Sequence, residues 1–151
     1  MHKHLRRLDR IWLDSPIYFI TMCTKDRRAV LARDKVNEIL IEEWRPAHER
    51  HGWIVGRYVI MPDHLHLFVR GDQTFVLATW VRGLKRAILK IFPSEFRTSF
   101  WQPGFFDHLL RSDESYAQKW EYVRQNPVRA GLVKFAEDWP YQGEIVRIDR
   151  A

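Results

Sequence analysis

The stretch Tyr58-Val59-Ile60-Met61-Pro62-Asp63-His64-Leu65-His66-Leu67-Phe68-Val69 decides the fold. Trp53 to Met61 is rich in β-branched and aromatic residues and reads as a strand. Pro62-Asp63 is turn chemistry, and His64 to Arg70 reads as the returning strand of a hairpin. Upstream, Asp34 opens a run to about Arg50 with Val36, Ile39, Leu40 and Trp44 at helical spacing and Gly52 as its stop. Before it, Pro16 to Thr24 reads as a strand. Downstream, a helix from about Phe75 to Ile91 ends before Pro93, and Phe105 to Leu110 is a fourth strand. Ser112 or Asp113 can cap a third helix reaching about Gln125. The first six elements follow the split β-α-β-β-α-β order of a ferredoxin-like or RRM-like α+β fold, a four-stranded antiparallel sheet with helices on one face. The third helix is an addition at the C-terminal side.

A chain of 151 residues is the size of one domain, and no linker, repeat or low-complexity tract divides it. Its 46% hydrophobic and 29% charged residues exclude a largely disordered chain. Lys and Arg number 25 against 19 Asp and Glu, a net charge of +6 that favours a polyanionic partner, nucleic acid first. The bland alternative is a solvated basic surface. Cys23 is the one cysteine, which excludes an internal disulfide and fits a reducing compartment. The basic start, Met1 to Arg10, has no apolar core behind its charges and is no signal peptide. No apolar run approaches the ~18 residues of a membrane span. A soluble, cytoplasmic protein is expected.

Residues i and i+2 of a strand point to one face, so His64 and His66 project together while Leu65 and Leu67 face the other way. Two imidazoles separated by roughly 6.6 Å, two strand rises, can converge on one divalent cation, although two ligands do not complete a site. A polar sheet face is the competing reading. Tyr122 and Asn126, four apart near the end of the third helix, share a face that offers a phenol nucleophile and an amide oxygen. Against this, sequence physics alone favours Tyr122 as a core aromatic between Trp120 and Val123. Asn126 before Pro127 reads as a helix cap, with Gly131 closing a short turn. Arg82, Arg86 and Lys90 recur every four positions, with Lys85 adjoining, in a basic stripe that suits either DNA or water.

Three separated motifs in order resemble the single-tyrosine transposases. Tyr58 to Val69 looks like the HUH motif, with Leu65 as the bulky apolar residue between the histidines. Phe100-Trp101-Gln102-Pro103-Gly104-Phe105-Phe106-Asp107-His108, then Glu121-Tyr122-Val123-Arg124-Gln125-Asn126-Pro127-Val128-Arg129-Ala130-Gly131-Leu132-Val133, resemble the REP-associated tyrosine transposase branch, as does Asp138-Trp139-Pro140. The resemblance covers nearly the whole chain as a single domain, 1–151, with a basic N-terminal arm at about 1–14. It implies an endonuclease and strand-transferase acting on single-stranded or hairpin DNA at repetitive extragenic palindromes, through a 5′-phosphotyrosine intermediate and a free 3′-hydroxyl. By position, His64, His66 and Asn126 would hold Mg²⁺ or Mn²⁺ and Tyr122 would be the nucleophile. Arg6, Arg7 and Arg10 would form an arm that reads bases beside the hairpin foot, a task suited to bidentate guanidinium contacts. The spacing of Arg82, Lys85, Arg86 and Lys90, separate from the resemblance, would suit phosphate contacts or a solvated face. Wider relatives include dimers, whereas the REP-associated branch points to a monomer.

Two departures stand out. Asp63 occupies a position where asparagine is common, adding a carboxylate near the metal, and Gln125 stands where asparagine is usual, making it a rival amide to Asn126. Two other classes remain open at this stage. A non-catalytic RRM-like module would need no convergence of His64, His66 and Tyr122, and a metal-dependent nuclease using water would dispense with Tyr122.

Overall fold

The computed structural model describes residues 16–46, 52–71 and 76–149. In chain order the elements are β1 (Ile17–Cys23), α1 (Asp34–Trp44), β2 (Trp53–Ile60), β3 (His64–Gly71), α2 (Leu77–Leu89), one-turn α3 (Ser94–Arg97), β4 (Phe106–Leu110), α4 (Asp113–Val123), one-turn α5 (Asn126–Arg129) and β5 (Gln142–Glu144). The sheet is antiparallel throughout, ordered β4-β1-β3-β2-β5. Its first four strands follow the expected arrangement, so the α+β reading holds. The fifth strand extends the β2 edge, with Tyr58 paired to Gly143 and Val59 to Gln142. The first helix stops at Trp44 rather than near Arg50, and the expected arm residues Arg6, Arg7 and Arg10 lie outside the described residues.

Strand alternation gives the sheet two unlike faces. On one, Ile20, Met22, Leu65, Leu67 and Val69 pack against Val36, Leu40 and Trp44 of α1 and Trp80, Val81, Leu84 and Ile88 of α2. On the other, Ile17, Phe19, Phe68 and Leu110 meet Tyr116, Trp120 and Val123 of α4, with Trp139 and Ile148 from the C-terminal segment. Ser112 caps α4, its hydroxyl oxygen accepting the Ser115 N–H at 3.0 Å. The added helix therefore roofs the face that α1 and α2 leave free.

Its close seating depends on Gly56. A Cβ there would come within 2.7 Å of Ile148 and the Tyr116 hydroxyl. The β2–β3 register shifts between Val55 and Tyr58, and the freed Arg57 N–H donates to the Tyr116 hydroxyl at 3.1 Å. Trp139 pins the C-terminal segment by donating its indole N–H to the Ile60 carbonyl at 3.0 Å. Among the described residues, no helix is long and apolar enough to cross a membrane.

Candidate active site

His64 and His66 do share a face, their ring centroids 4.6 Å apart. Each is held from behind. Antiparallel pairing sets His66 opposite Thr21, and the Thr21 hydroxyl lies 2.8 Å from His66 Nδ1. Phe19 stacks on the His66 ring at 5.0 Å and 22°. Asp63 Oδ1 lies 2.7 Å from His64 Nδ1, and its other oxygen accepts from Arg27 Nε at 2.8 Å. An ionised carboxylate can only accept, so His64 Nδ1 carries the proton and Nε2 keeps the lone pair. The same tautomer follows for His66 when its Nδ1–H donates to Thr21.

Burial pushes the Asp63 carboxyl up, but hydrogen bonds from His64 and Arg27, together with their charges, outweigh it and hold the group below its ordinary value. Burial lowers His64, with Asp63 pulling partly the other way. Burial also lowers His66 to about 3, helped by any charge that His64 takes up in acid and by the positive Lys119 and Arg27. Both imidazoles are thus neutral near pH 7, the form that can donate a lone pair to a cation. The extra carboxylate of Asp63 orients His64 rather than joining it as a donor. Among the described residues no three His, Cys, Asp or Glu side chains gather into a metal-holding set. The further donors would have to be an amide oxygen or phosphate oxygens from DNA, which suits hard Mg²⁺.

Tyr122 is not a core aromatic. It is 62% exposed, whereas Trp120 and Val123 beside it are buried. Lys119, one turn earlier, bridges Tyr122 to the histidine row. Its Nζ sits 4.8 Å from the centre of the Phe19 ring, on which His66 stacks, and 5.9 Å from that of Tyr122. Arg129 closes the other side, its guanidinium carbon 4.1 Å from the Tyr122 ring centre. The same Arg129 donates to the Tyr122 carbonyl at 2.6 Å and to the Asn126 amide oxygen. Asn126 therefore does not act as a side-chain cap, because Gln125 holds the cap position and makes no such bond. The amide oxygen has a second lone pair, so engagement with Arg129 leaves room for another partner. Lys119 and Tyr122 stand on α4, and Asn126 and Arg129 on α5 beyond the turn at Arg124 and Gln125, so the row at i−3, i, i+4 and i+7 spans two helices; sequence reasoning passed over its two cations.

The basic stripe of α2 divides. Arg82, Arg86 and Lys90 are exposed. Lys85 instead turns to the loop before β4, donating to the carbonyls of Gln102 and Gly104 and lying over Trp101. It acts as a strut for that loop. A cavity of about 510 Å³ between α1 and α2 is lined by Arg82 and Arg86 together with Glu43 and Trp44. It lies on the helical face, away from the histidines.

Comparison with known proteins shows the family and the fold. A family model described as "Transposase IS200 like" matches residues 14–126. A REP-associated tyrosine transposase of Escherichia coli K12 is 26% identical over 135 residues, 87% of this chain and 78% of that protein. A Haemophilus influenzae relative of the same description is 28% identical over 139 residues, 83% of this chain and 77% of its own. Among solved structures, a REP-associated tyrosine transposase bound to a REP hairpin superposes with a TM-score of 0.72. That superposition covers 93% of this chain and 87% of the other at 22% identity, a likeness of fold.

Proposed function

The chain belongs to the IS200-like transposase family, and from that premise we propose that it cleaves and rejoins single-stranded DNA beside a hairpin of the repetitive extragenic palindrome type, in the cytoplasm. What supports this reading is an exposed Tyr122 linked through Lys119 and Phe19 to a pair of oriented, neutral histidines. Relatives named for REP elements support the substrate class.

In this reading Tyr122 Oη attacks the scissile phosphorus, the phenol proton passes to water, and the P–O3′ bond breaks. The 3′-oxygen leaves and takes up a proton, giving a 5′-phosphotyrosine and a free 3′-hydroxyl. One phosphodiester replaces another, so attack by a 3′-hydroxyl reverses the step and joins strands. His64 Nε2, His66 Nε2 and Asn126 Oδ1 would hold Mg²⁺ or Mn²⁺, which supplies Lewis-acid polarisation of the phosphate and favours the phenolate. Thr21, Asp63 and Phe19 fix the two imidazole rings. Lys119 adds positive charge beside the ring that attacks, where phosphate charge accumulates. Arg82, Arg86 and Lys90 serve as phosphate contacts, and Lys85 is withdrawn from that role.

The test is to incubate the protein with Mn²⁺ and a labelled hairpin oligonucleotide and resolve the products under denaturing conditions. A labelled protein band is expected. Cleavage without a band would select a water nucleophile, and retention of DNA without cleavage would select a binding module.

A further inference from the structure

α4 roofs its face of the sheet unevenly. Register places Phe106 of β4 beside Thr21 of β1, which itself pairs with His66 of β3; in the next row His108 lies beside Phe19 and Phe68. Leu110, Phe106 and His108 alternate onto this same face. Leu110 and its neighbour Ile17 are buried, yet Phe106 is 61% exposed and His108 is also open. The uncovered part of the face therefore begins at the histidine pair and runs across two strand spacings, roughly 9.6 Å, to the sheet edge. It presents an aromatic ring, an imidazole and the Thr21–His66 row, with Lys119 at its inner margin over Phe19.

From this we infer that Phe106 and His108 form a binding strip for one unpaired nucleotide of the DNA strand, next to the phosphate that Tyr122 attacks. The inference rests on the strand-transfer reading for the direction of the strand. The occupant is argued from chemistry. Every nucleobase has a π-face that can stack on an open phenyl ring, and such stacking is tolerant of sequence. Lys119 supplies the opposite charge to the adjoining phosphate, and the strip is continuous with the site where that phosphate would react. The interior pairs of a duplex stem would not use it, because their faces are taken up by stacking on one another.

Two oligonucleotides test the strip with the full chain: a blunt hairpin, and the same hairpin with an unpaired single-stranded flank. Binding is read by fluorescence anisotropy without metal, so that no turnover intervenes. Phe106→Ala should weaken binding of the flanked hairpin by roughly tenfold, inside the range of about 5- to 150-fold for loss of one stacked base. The blunt hairpin should change by less than about twofold. Phe106→Trp should retain flanked binding, which separates stacking from a folding defect, and His108→Ala should give a smaller, flank-specific loss. Equal effects on both oligonucleotides, or none on the flanked one, would overturn the strip. So would a dimer that Phe106→Ala converts to a monomer with flanked binding unchanged, which would assign this edge to a second copy of the chain. The wild-type adduct assay keeps the two ideas apart. An adduct alongside flank-insensitive binding sinks the strip alone, whereas flank-specific loss without any adduct sinks the nucleophile and spares the strip.

Discussion

The two faces of one sheet differ in what the same strands present to them. On the helical face, β1 and β3 offer Ile20, Met22, Leu65, Leu67 and Val69, and α1 and α2 seal them completely. On the other, the same strands offer Phe19, Thr21, His64, His66 and Phe68, and a single roof helix covers only part of them. Polar groups there are placed where partners reach them from the neighbouring strand or turn: Thr21 of β1 for His66, and Asp63 of the β2–β3 turn for His64. Both faces carry buried core, but only the second also leaves polar side chains and part of the sheet open. A single residue of strand offset separates the two, which is why Leu65 and Leu67 must interleave with the histidines.

Substitutions should therefore divide by face. The largest stability loss is expected from Leu67→Ala on the sealed face, about 2–5 kcal/mol from lost burial and the cavity left behind, measured by chemical denaturation. A loss under about 1 kcal/mol would show that the helical face is less decisive than its packing indicates.

The histidine face should announce itself through pH. His66 has a folded-state value of about 3 against an unfolded value near 6.5. A depressed value means that the unfolded chain binds the proton more readily, so this contribution is full above about pH 6.5 and is lost as pH falls towards 3. Thermal midpoints should decline across that window, and His66→Gln should flatten the decline. An unchanged acid limb would place the acid sensitivity elsewhere.

Arg129→Ala removes the contacts to the Tyr122 ring and the Asn126 oxygen together. Adduct formation should slow about tenfold, equivalent to about 1.4 kcal/mol, while hairpin affinity holds. A matching fall in affinity would make Arg129 a plain DNA contact. The smallest effect belongs to α2. Arg82→Ala with Arg86→Ala should flatten the log–log salt dependence of binding by about one to two units, at about −0.7 per phosphate on single strands. Lys85→Ala should leave that slope alone, because its charge is committed to the Gln102 and Gly104 carbonyls.

The hairpin, the helix spacings and the order of the first four strands were legible because period-two and helical patterns report burial directly. The β5 segment, Gln142-Gly143-Glu144, was not, since three polar residues carry no alternation and pair only because Trp139 and Gln142 anchor the chain beside β2. Within the site, the side-by-side histidines followed from spacing alone. Their partners did not, because Thr21 and Phe19 reach His66 through cross-strand register. Exposure separated the two readings of Tyr122, and spacing could not. The Lys85 strut was hidden for a related reason: its acceptors lie in a loop 17 and 19 residues away.

The central claim is that Tyr122 is the nucleophile, and mapping the attachment site tests it most directly. Wild-type protein is reacted with Mn²⁺ and hairpin DNA, digested with protease and nuclease, and the nucleotide-bearing peptide is sequenced by mass spectrometry; Tyr122→Phe is carried alongside. The account predicts a nucleotide 5′-phosphate on Tyr122, and no adduct in Tyr122→Phe, whose hairpin binding is retained and whose stability shifts by no more than about 1 kcal/mol. A nucleotide on any other residue, or an undiminished adduct in Tyr122→Phe, would contradict it.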